Sequence, residues 1–341
     1  MKVKPIALII TLPLKITSFE HQSCSLSENN TMSSSSSSIR KNILGIYKIL
    51  PTPSSHWVGD GFNVYPVFGP SAFDAEVSPW LMFDYAAPKK FPATKRRLGV
   101  GKHPHRGFET ITIAFQGSVE HSDSVGNNDI VGPGDVQWMT AGRGIIHEEF
   151  HSTEFSKRGG IFEMCQIWLN LPSQDKMVPP AYQPILSNDI PLVSLDDNGY
   201  AKARVIAGTL NGVKGPATTH SPVELWDVTI QTKGTTTELP IPAGHNVVVF
   251  IRRGAAEIGN NSSGGKGSQL GPQGVALLRS EADDEEGTLL VLTALDDNTA
   301  IMILGGAPIH EPIAARGPFV MNTFDELAQA NRDFRNGKMG R

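Results

Sequence analysis

The segment ETITIAFQG, Glu109–Gly117, and the segment NVVVFIRRG, Asn246–Gly254, have the same length and close on the same glycine. Both are rich in β-branched and aromatic residues, and the first alternates from one side chain to the next, as a strand does. A second matched pair follows at nearly the same spacing in each copy: VGPGDVQWM, Val131–Met139, and LGPQGVALL, Leu270–Leu278. Each copy therefore reads as strand, Gly turn, loop, Gly-Pro turn, strand. Proline fixes φ and glycine admits the left-handed conformation, so these residues set turns rather than interrupt helices. A repeat of short strands predicts a duplicated all-β protein, two tandem β-barrels of the jelly-roll kind.

The same reading divides the chain into four parts. Residues 1–42 are expected to be an unstructured leader or targeting segment, 43–195 a first barrel, 196–323 a second, and 324–341 a C-terminal helix and tail. In that tail, NTFDELAQANRDFRNGK, Thr323 or Asn322 is the expected cap. Phe324, Leu327 and Phe334 form the expected apolar side, and Gly337 the stop. In the leader, Lys2 and Lys4 precede a short apolar run, Ile6 to Leu14, interrupted by Pro13 and closed by Lys15. The charge pattern is that of a signal peptide, but no A-x-A site follows; secretion or organelle targeting through residues 1–31 stays open, and Met32 is an alternative start. The serine tract Ser33–Ser38 reads as a linker. The sequons at Asn29, Asn260 and Asn261 matter only if the chain is secreted.

Composition narrows the function classes. With 30 Lys and Arg against 34 Asp and Glu, the net charge is -4, so no basic field exists to hold nucleic acid directly. There are two cysteines, Cys24 and Cys165, which excludes a disulfide scaffold and favours a reducing compartment, cytoplasmic or also nuclear. No segment reaches the roughly 18–20 apolar residues of a membrane-spanning helix.

The two copies differ where chemistry would sit. Before its first strand, copy one has His103-Pro104-His105; copy two has PAGHN, with the single His245. After its second strand, copy one continues TAGRGIIHEE, whereas copy two continues RSEADDEEG without a histidine. Residues i and i+2 of a strand share a face, so His103 and His105 form one pair and His147 and Glu149 another. Two such pairs on the inner face of one barrel can converge on an ion. Three imidazoles and a carboxylate suit a first-row divalent metal such as iron and leave positions for water, substrate or dioxygen. The competing reading of H-x-H alone is a pair of surface histidines near a loop.

These motifs resemble the cupin superfamily, with departures: Gly99 lies too close to His103, and Thr140 stands where cupins have proline. Taken with HPHRGFET, GPGDVQWMTAGRGIIHEE, WLNLP, IAGTLNGVKGPA and GPFVMNT, the chain is similar over residues 60–336 to the pirin family. Lys102 stands where animal pirins usually have Asp, which makes the likeness stronger to the bacterial, quercetinase-like branch. The resemblance implies two cupin domains with Fe(II) in the first, held by residues matching His103, His105, His147 and Glu149. It also implies either of two roles. One is a quercetin 2,3-dioxygenase-type oxygenase acting on a flavonol-like molecule and dioxygen, with Glu149 as acceptor of the substrate proton. The other is an iron-dependent protein-binding module, a transcriptional coregulator or a regulator of signalling proteins or metabolic enzymes, without turnover.

Neighbouring residues receive plainer expectations. Glu109 is structural or supports the ligands; Arg106 neutralises a buried carboxylate such as Glu109 or lies exposed; Arg143 holds its turn. Trp138 and Met139 are core, with one side available to line a pocket. His121 and His151 are expected on the surface or in loops, Cys165 as a buried small apolar residue. His220, His245 and His310 lack partners at ligand spacing. Asp283, Asp284, Glu285 and Glu286 read as a solvated charge run, so no metal is expected in the second barrel.

Overall fold

The computed structural model describes residues 43–69, 76–259, 267–279 and 288–340. The leader, the three sequons and the acidic run 283–286 lie outside the described residues. Two seven-stranded and two four-stranded antiparallel sheets build the fold. In the first barrel the large sheet runs Ala181–Ile185, Val136–Thr140, Phe108–Gln116, Gly160–Asn170, Trp80–Phe91, Phe62–Phe68, His56–Val58. Its small sheet runs Gly99–His105, Ile145–His151, Val119–Asp123, Asn128–Val131. The second barrel repeats this plan. Its large sheet is centred on Asn246–Arg253 and Thr299–Gly306, and its small sheet on Thr288–Ala294. The expected pair of jelly-roll barrels is thus present.

The two large sheets pack face to face. Phe83, Tyr85, Ile111, Ile113, Trp138 and Cys165 of the first share one buried cluster with Val248, Phe250, Leu277 and Met302 of the second. Covering both faces explains why NVVVFIRR is buried along its first six residues and reads as a continuous apolar run. Within this contact Arg252 Nη1 lies 2.7 Å from Glu163 Oε1, which also accepts a 2.8 Å bond from the Tyr85 hydroxyl. Gln116 Nε2 donates to Glu163 Oε2 at 2.8 Å. Burial alone would raise the Glu163 carboxyl, but Arg252 and these donors hold it below the usual range.

Alternation makes the barrel interiors different. In the first barrel the inward positions of ETITIAFQG are Thr110, Thr112 and Ala114; at the same places the second has Val247, Val249 and Ile251, all in its aliphatic core. Threonine and valine are nearly isosteric, so one barrel keeps polar groups where the other closes with hydrocarbon.

Near each end of the described chain, a segment packs on the barrel farther from it in sequence. Strand Ile46–Leu50 pairs with Val275–Arg279 and caps the edge of the second large sheet. The hairpin Ala314–Arg316 and Phe319–Met321 instead closes on the first barrel, where Val320 packs with Leu81 and Phe108. Gly107 permits that approach: its φ is +85°, and a Cβ there would lie 2.0 Å from the Val320 carbonyl oxygen. Lys176, buried, donates to the carbonyls of Gly107 and Val320 and to Asn170 Oδ1 at 2.8, 3.1 and 2.7 Å.

Helix Phe324–Arg335 starts with a capping box between Thr323 and Glu326, and Gly337 follows it at φ +63°. Its buried side is Leu327 and Ala330, packed with Met321 and Met339, whereas Phe324 is 79% exposed and Phe334 40%. Leu327 is buried as expected, and the half-exposed Phe334 keeps its ring 6.4 Å from Phe319 of the hairpin; Phe324, at the first turn, stands in solvent and is the one departure from the expected apolar side. No helix of the described residues is long and apolar enough to cross a membrane.

Candidate metal centre

The first barrel's small sheet brings two distant motifs side by side. Strand Ile145–His151 pairs with Gly99–His105 in a register that sets His147 opposite His103 and Ile145 opposite His105. Every second residue of that strand, Ile145, His147, Glu149 and His151, is buried. The rings of His103, His105 and His147 have centroids 4.8, 4.3 and 4.8 Å apart around the triangle. Their ligand nitrogens lie within 4.8 Å of one another. Glu149 joins His147 and a further residue, His121, in a second such group. Of the four expected ligands, three are therefore gathered in one group and the fourth is linked to it through His147.

Hydrogen bonding prepares these rings for an ion. His103 Nδ1 lies 2.9 Å from the Gly101 carbonyl oxygen, and His105 Nδ1 lies 3.4 Å from that of Pro318. A carbonyl only accepts, so each Nδ1 carries the proton and each Nε2 keeps a lone pair. Carbonyl or carboxylate support of the far nitrogen is usual behind metal-ligating histidines. His147 is 1% exposed, and neither ring nitrogen has a partner among the described residues. Burial, and then the neighbouring imidazoles, push the protonation of His105 and His147 well below the ordinary histidine range. Neutral rings with free lone pairs result, and a divalent metal fits this donor set. Glu149 Oε1 lies 3.1 Å from the Thr112 hydroxyl, which orients the carboxylate from the large sheet.

His121 and His151 correct the expectation of surface or loop positions. His121 is fully buried on strand Val119–Asp123, stacked on Tyr182 at 5.0 Å and 5.4 Å from the His147 ring. Its Nε2 lies 3.2 Å from Asp123 Oδ2, and its buried Nδ1 has no partner. The alternation Val119, His121, Asp123 was a signal for one inward face, but a lone H-x-D carries little weight by itself. His151 is also buried, stacked against Phe162 at 4.5 Å with its Nε2 2.9 Å from the Gly61 carbonyl oxygen. Burial lowers its protonation to about 4, and its role is packing.

The remaining residues fall into place by strand parity. Glu109 is fully buried on the face toward the inter-sheet core, away from the imidazoles, and accepts a 2.6 Å bond from Thr140. Burial raises its carboxyl. Arg106 pairs with neither Glu109 nor solvent: it is 4% exposed, with Nη1 2.9 Å from Asp333 of the C-terminal helix. It also donates to the Arg143 carbonyl at 2.6 Å. Trp138 belongs to the inter-sheet core, whereas Met139 lies on the barrel side near Tyr182. Cys165 is buried, and its thiol is pushed well up by burial, as suits a packing residue rather than a nucleophile. His245 does have a partner: Nδ1 is 2.7 Å from Glu224 Oε2, a contact made by residues distant in the chain. Trp168 was not foreseen; it stands 5.3 Å from the His105 ring and 4.4 Å from Phe108, an aromatic wall beside the imidazoles.

Two tandem cupin barrels, one with clustered imidazoles and one filled with aliphatic side chains, define the class as a bicupin with a single evident centre among the described residues. The pirin family model matches residues 61–169, and that of the pirin C-terminal cupin domain matches residues 225–340. The chain belongs to the pirin family. A Pseudomonas aeruginosa relative that carries the provisional name quercetin 2,3-dioxygenase is 46% identical over 87% of this chain and 98% of its own length. Human Pirin is 36% identical over 77% of this chain and 83% of its own. The crystal structure of a quercetin 2,3-dioxygenase from Acinetobacter baumannii superposes with a TM-score of 0.81 at 45% identity. It covers 87% of this chain and 99% of that one.

Proposed function

We propose that the first barrel holds one iron(II) ion through His103, His105, His147 and Glu149, and that the protein is a quercetin 2,3-dioxygenase-type enzyme acting on flavonol-like substrates. The observation that carries the reading is His147, buried with both ring nitrogens unpartnered and two further imidazoles beside it. An unpaired buried imidazole costs free energy unless the fold reserves it for something that binds. The relatives named for quercetin 2,3-dioxygenase support the choice of reaction. Bound there, the metal supplies Lewis acidity and a template for substrate and dioxygen.

The chain's own residues do the rest. Glu149 takes the proton of the substrate's enolic hydroxyl: each carboxylate oxygen has more than one lone pair, so the oxygen that Thr112 steadies can still accept while the other binds the metal. Phe108 and Trp168 offer aromatic surface to a planar ring system. The polar interior gives the reacting oxygens hydrogen-bond partners that bulk water would otherwise supply.

The test is oxygen uptake with quercetin, scored per bound iron, for wild type and Glu149→Gln. Gln keeps size and an oxygen donor but loses the charge and the proton-accepting ability. Turnover per iron is expected to fall on the order of 10²–10⁴-fold. A loss within about threefold, well short of that range, leaves Glu149 a ligand only. Full iron occupancy without oxygen uptake over a flavonoid panel overturns the enzyme reading. It leaves the other role of the family likeness, an iron-dependent protein-binding module.

A further inference from the structure

The barrels are copies of one repeat, so each interior position of the first has a counterpart in the second, and the strand registers identify it. Across the first large sheet, Gln137 lies opposite Thr112, Thr112 opposite Gln166, and Gln166 opposite Asp84. The same row of the second sheet reads Ala276, Val249, Ile303 and Trp226. All four are buried in the second barrel's own core. On the neighbouring row Thr110 corresponds to Val247, also in that core. The fold does not need polar groups at these places. Only the barrel that holds the imidazoles has them.

Gln137 is the least explained of the set. It is fully buried, and neither its amide nitrogen nor its amide oxygen has a partner among the described residues. Its neighbours Val136 and Trp138 face the inter-sheet core, so Gln137 faces the barrel interior. Directly across from it, Thr112 holds the oxygen of Glu149. Thr110, two residues along the same face, also has a buried hydroxyl without a partner. Buried amides are nearly always paired. One that keeps a donor and an acceptor free beside a proton-accepting carboxylate is suited to pairing with a molecule that enters.

We infer that Gln137 is a substrate-recognition residue, with Thr110 beside it. Its amide nitrogen donates to a carbonyl oxygen on the carbon next to the one whose hydroxyl gives its proton to Glu149. The two oxygens so recognised are the adjacent carbonyl and enolic hydroxyl that define the flavonol-like substrates proposed above. This rests on the function proposed above and adds which pair of oxygens is recognised and by which side chain. It also accounts for the aromatic wall of Phe108 and Trp168, which suits the ring bearing those oxygens.

The experiment uses wild type and Gln137→Leu, both loaded with zinc so that no turnover intervenes. Each is titrated with 3-hydroxyflavone and with 3-phenyl-2-naphthol, which keeps a planar ring and an acidic hydroxyl but lacks the carbonyl, and binding is followed by tryptophan fluorescence. Gln137→Leu is expected to retain its zinc and its thermal midpoint, as the aliphatic counterparts in the second barrel indicate. Its affinity for 3-hydroxyflavone should fall about tenfold or more, while that for 3-phenyl-2-naphthol stays within about twofold. Equal affinity of both proteins for 3-hydroxyflavone overturns this assignment and leaves the proposed function standing. Failure of wild type to bind 3-hydroxyflavone overturns the two together. Loss of zinc or of thermal stability in Gln137→Leu, repeated in Gln137→Met, makes the amide a structural group and overturns the assignment as well.

Discussion

Asp84 gives the most quantitative test of how dry the first barrel's interior is. It stands on strand Trp80–Phe91 with Pro66 and Gln166 opposite it on the two neighbouring strands, both uncharged. It is 9% exposed, and burial raises its carboxyl from 3.8 to about 7. The sign follows from where protons bind. Between pH 4 and 7 the folded protein keeps the Asp84 proton and the unfolded chain loses it, so stability falls as pH rises through this window. Below pH 4 both forms are protonated, and above 7 both are ionised with the full penalty in place. At about 1.4 kcal/mol per pH unit, the window amounts to roughly 4 kcal/mol. Asp84→Asn removes the ionisation and adds a constant amide term. The variant's stability relative to wild type should therefore rise by that amount from pH 4 to 8 and stay level beyond. Over the roughly 280 described residues this corresponds to about 7 °C in the difference between the two thermal midpoints. Calorimetry of both proteins at half-unit pH steps measures it, and pH effects on the metal ligands cancel in the difference. A difference that stays flat within about 1 kcal/mol, well short of the window worked out above, would show that Asp84 ionises normally. Solvent or a cation would then reach it, and the picture of a closed polar row would fail.

His147→Ala should release most of the bound metal from a folded protein, since His147 belongs to both ligand groups; metal analysis after gel filtration reads this, and stoichiometric retention refutes the ligand set. Metal analysis of the same variant should find no second transition-metal ion, because the second barrel carries valine, alanine and isoleucine where the first is polar. Glu163→Gln leaves Arg252 with Asp227, 3.4 Å away, as its remaining carboxylate and should destabilise by about 1–3 kcal/mol, seen in urea unfolding. An effect below about 1 kcal/mol, the range of an exposed pair, would mean that water serves the contact between the large sheets. Lys176→Ala strips hydrogen bonds from the carbonyls of Gly107 and Val320 and should cost about 2–4 kcal/mol, with faster amide exchange at residues 314–321; unchanged exchange there would refute its role as the tie of the hairpin.

Much of this molecule was legible in one dimension. The repeat, its Gly and Pro turns and the strand alternation required two β-barrels. The i, i+2 spacing of His103 with His105 and of His147 with Glu149 put each pair on one face, because strand periodicity is local. The difference between the copies located the chemistry in the first, since one motif pair kept its histidines and the other did not. Even the polar row was visible as Thr110 and Thr112 against Val247 and Val249, although nothing local said what those threonines faced.

Tertiary structure decided everything that depends on which face meets which. His121 and His151 sit one residue class away from ordinary surface histidines, and only the closing of the small sheet over the large one buries them. Arg106 found Asp333, and His245 found Glu224, across separations that no spacing rule reaches. The exchange of chain ends, with Ile46–Leu50 on the second barrel and the 314–321 hairpin on the first, is likewise invisible to periodicity. A strand's sequence specifies its two faces through the alternation of its own side chains. The partner for its edge and the cover for its face are chosen by the shape and hydrogen-bonding needs of the whole assembly.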